Sequence, residues 1–364
     1  MKQTRTIFYI AAAAIAMAAC SRVQLDNRED ALIRFQVARY GTSQAATKAP
    51  LDYKDGYQAV PFGAYAWYKG ATPAYDQAFM TNEKVAYNAT ENIWFTEQTT
   101  YYWPKSGTLD FICYSPYSTD GVPQVEEDRI EYSAWNVSAN PGTDLLYADK
   151  ATGLNQNKTT YFYSGVPVLF RHALAKVEFS MRLAYSEMVP STGDKTKWEV
   201  TLKSITLKDI LTTGSLTLNL VDGLWALPDS KVWTATGART DVNLDCSALQ
   251  VFKDTEPQNL GESMLVLPQA LDNGQKMVLK LAISTWRDTG EGYPQEPFIE
   301  ETEILLNASL TTQALQKWGI NQSIKYNLIL APSLSPDGVS PTEITFDPAE
   351  ADWDTVTLNA VIDI

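Results

Sequence analysis

Between residues 173 and 183 apolar and polar side chains alternate, with Leu174 the one exception. Ala173, Ala175, Val177, Phe179, Met181 and Leu183 share one face, while Leu174, Lys176, Glu178, Ser180 and Arg182 share the other. A period of two is the spacing of a strand with one face buried, because successive Cβ atoms point to opposite sides of a sheet. The same period recurs at Ile33, Phe35 and Val37, alternating with Arg34, Gln36 and Ala38 ahead of a Gly/Ser/Thr-rich loop at 41–49, and again at Met277, Leu279, Leu281 and Ile283. Val60–Tyr68 reads as an aromatic-rich strand, and Leu109–Ser115 is apolar on both faces, as in a strand buried within a sandwich. Residues 198–208 alternate as well, but their phase slips near Ser204, which predicts a bulge. Leu216, Leu218 and Leu220 lead into Asp222-Gly223, with Leu224–Leu227 beyond, and an Asp-Gly pair between apolar runs predicts a hairpin turn. The best helical candidate is short, Thr311–Trp318. Many short strands punctuated by Gly, Pro, Asn and Asp predict an all-β chain built of β-sandwiches.

The alternation runs to the last residue, with Val356, Leu358, Ala360, Ile362 and Ile364 in phase. Two readings stand side by side. The terminal strand closes its own sheet, or it pairs with a sheet edge on a neighbouring subunit. Burying its four large apolar side chains corresponds to roughly 6–12 kcal/mol as an upper bound, enough for a long-lived joint between molecules.

The first 19 residues have a different pattern. Lys2 and Arg5 precede an apolar run, Ile7–Met17, which at 11 residues is too short for the ~30 Å of a bilayer core. Ala18, Ala19 and Cys20 follow, which reads as a cleavable secretory signal over residues 1–19. Met17-Ala18-Ala19-Cys20 also resembles the bacterial lipobox, which implies lipidation of Cys20 with acyl chains such as palmitate and a mature chain that begins there. An ordinary signal with a chance cysteine is the alternative. Residues 20–30 are polar and read as a tether. Beyond them the length suits two domains, 31–165 and 166–364, with the boundary at Ser164-Gly165.

Composition narrows the function. A net charge of −14, more negative once Lys2 and Arg5 are removed, disfavours nucleic acid and anionic lipid surfaces as partners. The hydrophobic share of 45%, with 10 Trp, 19 Tyr and 12 Phe, belongs to a packed protein and not a disordered one. Cys113 and Cys246 are the other two cysteines; whether they pair is open, and Cys113 lies in an apolar run that favours a buried free thiol. Catalytic material is thin. The one histidine, His172, heads the strongest strand, and no Gly-x-Ser-x-Gly, His-Glu-x-x-His, Cys-x-x-Cys, P-loop or Gly-x-Gly-x-x-Gly motif is present. No catalytic residue, metal or cofactor is therefore assigned. Glu126-Glu127-Asp128 and Glu300-Glu301 lack calcium-loop spacing and read as solvated. Carboxylate-only hydrolysis survives as a minor reading on 43 acidic residues. A glycan-binding reading survives on the aromatics, although Trp94, Trp103, Trp135 and Trp225 sit among strand-like neighbours and read as core.

Several stretches together resemble the Bacteroidales fimbrillin (Mfa-like) family. They are Pro61-Phe62-Gly63-Ala64-Tyr65, Tyr101-Tyr102-Trp103-Pro104 with Gly107 and Leu109-Asp110-Phe111, Asp144–Ala148, and Phe170-Arg171-His172-Ala173-Leu174-Ala175-Lys176-Val177. Trp318-Gly319-Ile320-Asn321 with Tyr326, Ile344-Thr345-Phe346 and Asp352-Trp353 are similar to its closing pattern. The resemblance implies two transthyretin-like Greek-key β-sandwich domains and a pilus subunit, not an enzyme. It implies an outer-membrane lipoprotein precursor anchored through Cys20, then a surface fimbrium that supports adhesion or biofilm formation. A protease directed to Arg or Lys would remove the first strand (Ile33, Phe35, Val37), and another subunit's strand would replace it. Arg39 is the candidate cut, with Arg34 and Lys48 as alternatives, and Val356, Leu358, Ala360, Ile362 and Ile364 form the candidate donor. Where the family commonly has Thr-Arg-Ala, this chain has Thr47-Lys48-Ala49. The partners implied are other fimbrial subunits, the outer membrane and a host or bacterial surface receptor. The alternative of another class is a lipid-anchored glycan-binding lipoprotein that never polymerises.

Overall fold

The computed structural model describes residues 31–39, 58–70, 78–157, 165–189, 193–223, 230–252, 257–260, 263–272, 274–311, 315–332, 339–345, 354–355 and 359–360. The chain is all-β, and no α-helix occurs among the described residues. Its first ten strands are β1 (Phe35–Arg39), β2 (Phe62–Lys69), β3 (Ala78–Asn88), β4 (Ile93–Thr96), β5 (Thr108–Ser115), β6 (Gln124–Glu126), β7 (Arg129–Asn136), β8 (Leu146–Ala148), β9 (Ala151–Leu154) and β10 (Val166–His172). Eight of them form one sheet in the order β2-β3-β4-β1-β10-β8-β5-β9. Because β2 also pairs with β5 along Gly63–Lys69, seven of these strands close into a ring around a single core. Phe35, Phe62, Phe111, Trp94, Trp103 and Phe170 fill it. As expected of a strand packed on both sides, β5 is buried from Leu109 to Ser115.

The second half carries β11 (Ala175–Leu183), β12 (Glu187–Met188), β13 (Lys195–Asn219), β14 (Ser230–Val251), β15 (Gln258–Asn259), β16 (Met264–Val266), β17 (Gln269–Ala270), β18 (Lys276–Asp288), β19 (Ile299–Ser309), β20 (Lys317–Trp318), β21 (Gln322–Pro332), β22 (Val339–Thr345), β23 (Asp354–Thr355) and β24 (Asn359–Ala360). One sheet runs β15-β11-β21-β22-β24, with β16 on β11 and β23 on β21; the other runs β19-β18-β13-β7-β6, with β12 and β14 on β13. Val177, Phe179 and Met181 of the first and Val200, Leu202, Leu279 and Leu281 of the second supply one shared core, which is the arrangement of a β-sandwich.

The strand β13 joins the two halves. Burial alternates along its 25 residues, slips by one position at Lys203–Ser204 and slips again at Lys208–Asp209. Register breaks against β14 fall at both places, so the bulge expected near Ser204 is present. Asp209 absorbs the second slip with φ of 63°, a conformation that short polar residues tolerate. Two slips restore the starting phase, so Leu216 and Leu218 again point inward, now at a third cluster shared with Tyr65, Ile112, Tyr114 and Tyr132 of the first half.

One local expectation holds in a wider form and one fails. β13 and β14 form an antiparallel hairpin with Asp222-Gly223 in its connection, but the pairing closes at Asn219↔Ser230, so the connection is longer than the pair itself. Asp222 bridges to Lys150, and the Gly223 N–H donates to the Lys150 carbonyl at 3.0 Å. At the predicted helix, Lys317–Trp318 is strand β20, paired with β17. An isolated helix this short has little stability of its own. Trp318 is buried instead, its indole N–H donating to the Tyr326 hydroxyl at 3.1 Å.

Candidate functional site

The first strand completes the ring between β10 and β4. It runs parallel to β10 over five residue pairs, Phe35↔Val166 to Arg39↔Phe170, and meets β4 at one pair, Phe35↔Trp94. Just upstream, the Ile33 N–H donates to the Tyr101 carbonyl at 2.9 Å, and the Ala31 carbonyl accepts from Trp103 at 2.8 Å. Ile33, Phe35 and Val37 are 3–4% exposed, whereas Arg34 between them faces solvent. Phe35 meets Phe62 and Phe111 edge-on, at ring distances of 5.6 and 5.9 Å. Burying these three side chains corresponds to about 5–9 kcal/mol of transfer free energy as an upper bound. At Gly165 a Cβ would sit 2.5 Å from the Arg34 carbonyl oxygen, so the close pass of β1 over β10 requires a glycine there. Without residues 31–39 the ring would have a gap between β4 and β10, with one edge of β10 unpaired.

The residues singled out in the sequence are placed as follows. Arg34 offers its carbonyl to Val166 at 2.8 Å between two buried neighbours. Arg39 ends β1 opposite Phe170. Ala360 lies in β24 and pairs with Ile344, and Asn359 with Thr345, at the edge of the chain's own second sheet. Cys20, Lys48, Val356, Leu358, Ile362, Ile364 and Trp225 lie outside the described residues. Trp94 and Trp103 are core, whereas Trp135 is half-buried.

The segment Phe170–Val177 turns out to be the joint between the halves. The chain changes sheets at Ala173–Leu174, after β10 and not before it, because β10 is the strand that pairs with β1. The Trp233 indole N–H donates to the Ala173 carbonyl at 2.7 Å, and the Asn321 N–H to the Leu174 carbonyl at 3.1 Å. Asn321 also accepts from the His172 N–H through Oδ1 at 3.2 Å, while the His172 ring bonds Asp144 at 2.5 Å. Beside it, the fully buried Arg171 meets Asp149 in a fork, Nε to Oδ1 at 2.5 Å and Nη2 to Oδ2 at 2.9 Å. The sequence carried a signal for that pair, since a lone arginine in an apolar strand needs a buried carboxylate. It did not say which one.

The two described thiols are not activated. Cys113 and Cys246 are free and buried in different cores. Desolvation pushes the Cys246 thiol up to about 11, and Cys113 further still. Thiols raised in this way remain protonated and inert near neutrality.

Comparison with known proteins agrees with this fold. The fimbrillin-like family matches residues 45–353. Among solved structures, a fimbrial protein from Bacteroides vulgatus superposes with a TM-score of 0.53 at 14% identity, over 87% of this chain and 98% of that one. A protein from Bacteroides uniformis described as a candidate cell adhesion protein aligns at 16% identity and a TM-score of 0.45, over 88% and 98% of the two chains. Curated proteins give no match. With most of its length covered by that one family, the chain belongs to the fimbrillin-like family, whose members are structural proteins and not enzymes.

Proposed function

We propose that this fimbrial subunit polymerises by exchanging its first strand for a strand of another copy. Membership of the family makes the chain a fimbrial or adhesion subunit with a surface-exposed, extracellular location. In the proposed cycle the precursor is exported, lipidated at Cys20 and held at the outer membrane with β1 in place. A protease then cuts after Arg39. Residues up to the cut depart with the lipid, and the terminal segment carrying Val356, Leu358, Ala360, Ile362 and Ile364 from a second subunit enters the gap. Adhesion or biofilm formation, through a receptor on host or bacterial surfaces, is the downstream role.

The observation that supports this most is the pairing of β1: a strand at the start of the described chain, parallel to β10 and nearly free of β4, that nonetheless places three side chains in the core. Release of such a strand would break the ladder to β10 and the bonds of residues 31–33 to Tyr101–Trp103. The vacated edge of β10 then offers a ladder and apolar pockets that favour another period-two strand. Arg39 is preferred to Arg34 because a cut at Arg34 would leave Phe35 and Val37 attached to the subunit, and because the Arg34 carbonyl is held by Val166. The pairing of Asn359–Ala360 with β22 supports a donor that rests on its own body before release.

The test is treatment of the purified precursor with an Arg-specific protease, followed by unheated gel electrophoresis in SDS. Cleavage after Arg39 should convert monomer to a ladder of multimers, and both R39A and deletion of residues 356–364 should abolish the ladder. Cleaved protein that stays monomeric would defeat the reading. Labelled palmitate that enters a C20A precursor as readily as the wild type would remove the lipid anchor from it.

A further inference from the structure

A polar cleft lies on the outer face of the first sheet, lined by residues of β2, β5 and the β6–β7 turn and by none of β1. Phe62, Ala64 and Ala66 of β2 point into the ring, so Tyr65 and Trp67 of the same strand point out of it. There the β6–β7 turn and Asp222 of the second half flank them around an open cleft of about 750 Å³. That volume falls within the ~300–1,000 Å³ of small-ligand sites, and a junction between two structural units is a common place for one.

The walls have a definite chemistry. Trp67 is half-buried, and Tyr65 lies alongside with its ring nearly parallel, 15° between planes and 6.1 Å between centroids, so the indole is held in one orientation. Lys150, a side chain only 8% exposed, reaches Asp222 at 2.7 Å across the mouth. Lys69 meets Glu127 at 2.5 Å, and Arg129 just outside meets Glu126 at 2.8 Å. Asp110 is buried and accepts from the Gly153 N–H at 2.7 Å through Oδ1. Three of the five carboxylates in the cleft are thus already matched to cations, and Asp110 and Asp128 leave a mild negative excess. Such a wall gives a free cation little that its own lysines do not already supply, and it repels an anion. It suits a ligand that is uncharged, flat on one side and rich in hydroxyls. The aliphatic face of a sugar ring packs on an indole, and its hydroxyls can each accept from an ammonium and donate to a carboxylate.

We propose that this cleft binds a short neutral oligosaccharide, with Trp67 as the platform backed by Tyr65, and with Lys69, Glu127, Lys150 and Asp222 reading the hydroxyls. A fimbrial subunit would then carry its own glycan site on a face that polymerisation leaves free. The proposal does not depend on strand exchange, since no residue of β1 lines the cleft.

The experiment is calorimetric titration of the uncleaved full-length protein with lactose, maltotriose, cellotriose, mannotriose and, as the anionic control, 3′-sialyllactose. At least one neutral sugar should bind with a submillimolar Kd and perturb tryptophan fluorescence, and sialyllactose should bind at least tenfold more weakly. W67A should weaken binding tenfold or more. D222N and E127Q should each weaken it several-fold, and E127Q, whose partner Lys69 is itself exposed, should do so with the melting temperature unchanged. Absence of binding across the neutral panel at millimolar concentration overturns the proposal. So does equal binding by wild type, D222N and E127Q, and tighter binding of sialyllactose overturns the neutral assignment. Failure of the strand-exchange ladder would leave these titrations unaffected, so the two readings fail separately.

Discussion

Arg171 and Asp149 show how much one pair can carry. Their side chains are 1% and 0% exposed, and the fork between them is the guanidinium's preferred way of holding a carboxylate. Removing one partner strands a charge away from water, so R171A or D149A should each lower the unfolding free energy by about 3–5 kcal/mol. Replacing both with apolar residues of similar volume should cost less than either single change, because no orphan charge remains. Urea midpoints of the three variants, with unchanged slopes, test this; equal and additive losses would refute it. In sequence, the need for a partner was legible from an arginine flanked by Phe170 and His172. The identity of the partner was not, since Asp149 lies 22 residues away and nothing local distinguishes it from other acids.

Strand identity was the most legible feature at the scale of elements. The runs around residues 109–115, 173–183 and 277–283 appear as strands because period-two burial is a local property of the backbone. The slip near Ser204 was readable for the same reason, because a bulge moves the apolar set to the other parity. The hairpin around Asp222-Gly223 is present with a longer connection, whereas the helix at Thr311–Trp318 failed because it rests on local propensity, which the contacts to β17 outweigh. Gly165 yields an expected outcome at this scale. In G165A the new Cβ meets a backbone atom, the Arg34 carbonyl oxygen, which cannot rotate away. The clash should cost the β1–β10 ladder at least about 1 kcal/mol, a factor of roughly five in the open population. Cleavage after Arg39 by limiting protease tracks that population and should accelerate by a similar factor. An unchanged rate would mean that β1 is not the strand that gates the cut.

Across the whole molecule the two halves are tied by backbone-directed bonds at Ala173–Leu174 and by the third core, in which Leu216 and Leu218 meet Tyr65 and Tyr132. Asn321 is the hinge of this arrangement, since its backbone N–H serves Leu174 and its side chain serves His172. N321A should leave the buried His172 N–H without its partner, costing about 1–3 kcal/mol. Hydrogen exchange at the His172 amide should rise accordingly, while amides in the middle of β13 and β18 stay protected. Equal protection in both proteins would show that the joint is held elsewhere. The sequence by itself determined that the chain is all-β, which side chains face inward on each strand, and which family it resembles. These follow from alternation and from short motifs, both carried by neighbouring residues. Tertiary structure alone decided that β1 lies parallel to β10, that seven strands close into a ring, that Asp149 meets Arg171, and that Trp67 and Asp222 line one cleft. The reason is physical: a strand's periodicity specifies its buried face, but its hydrogen-bonding edges are the same backbone in every strand, so the partner is chosen only when the cores pack.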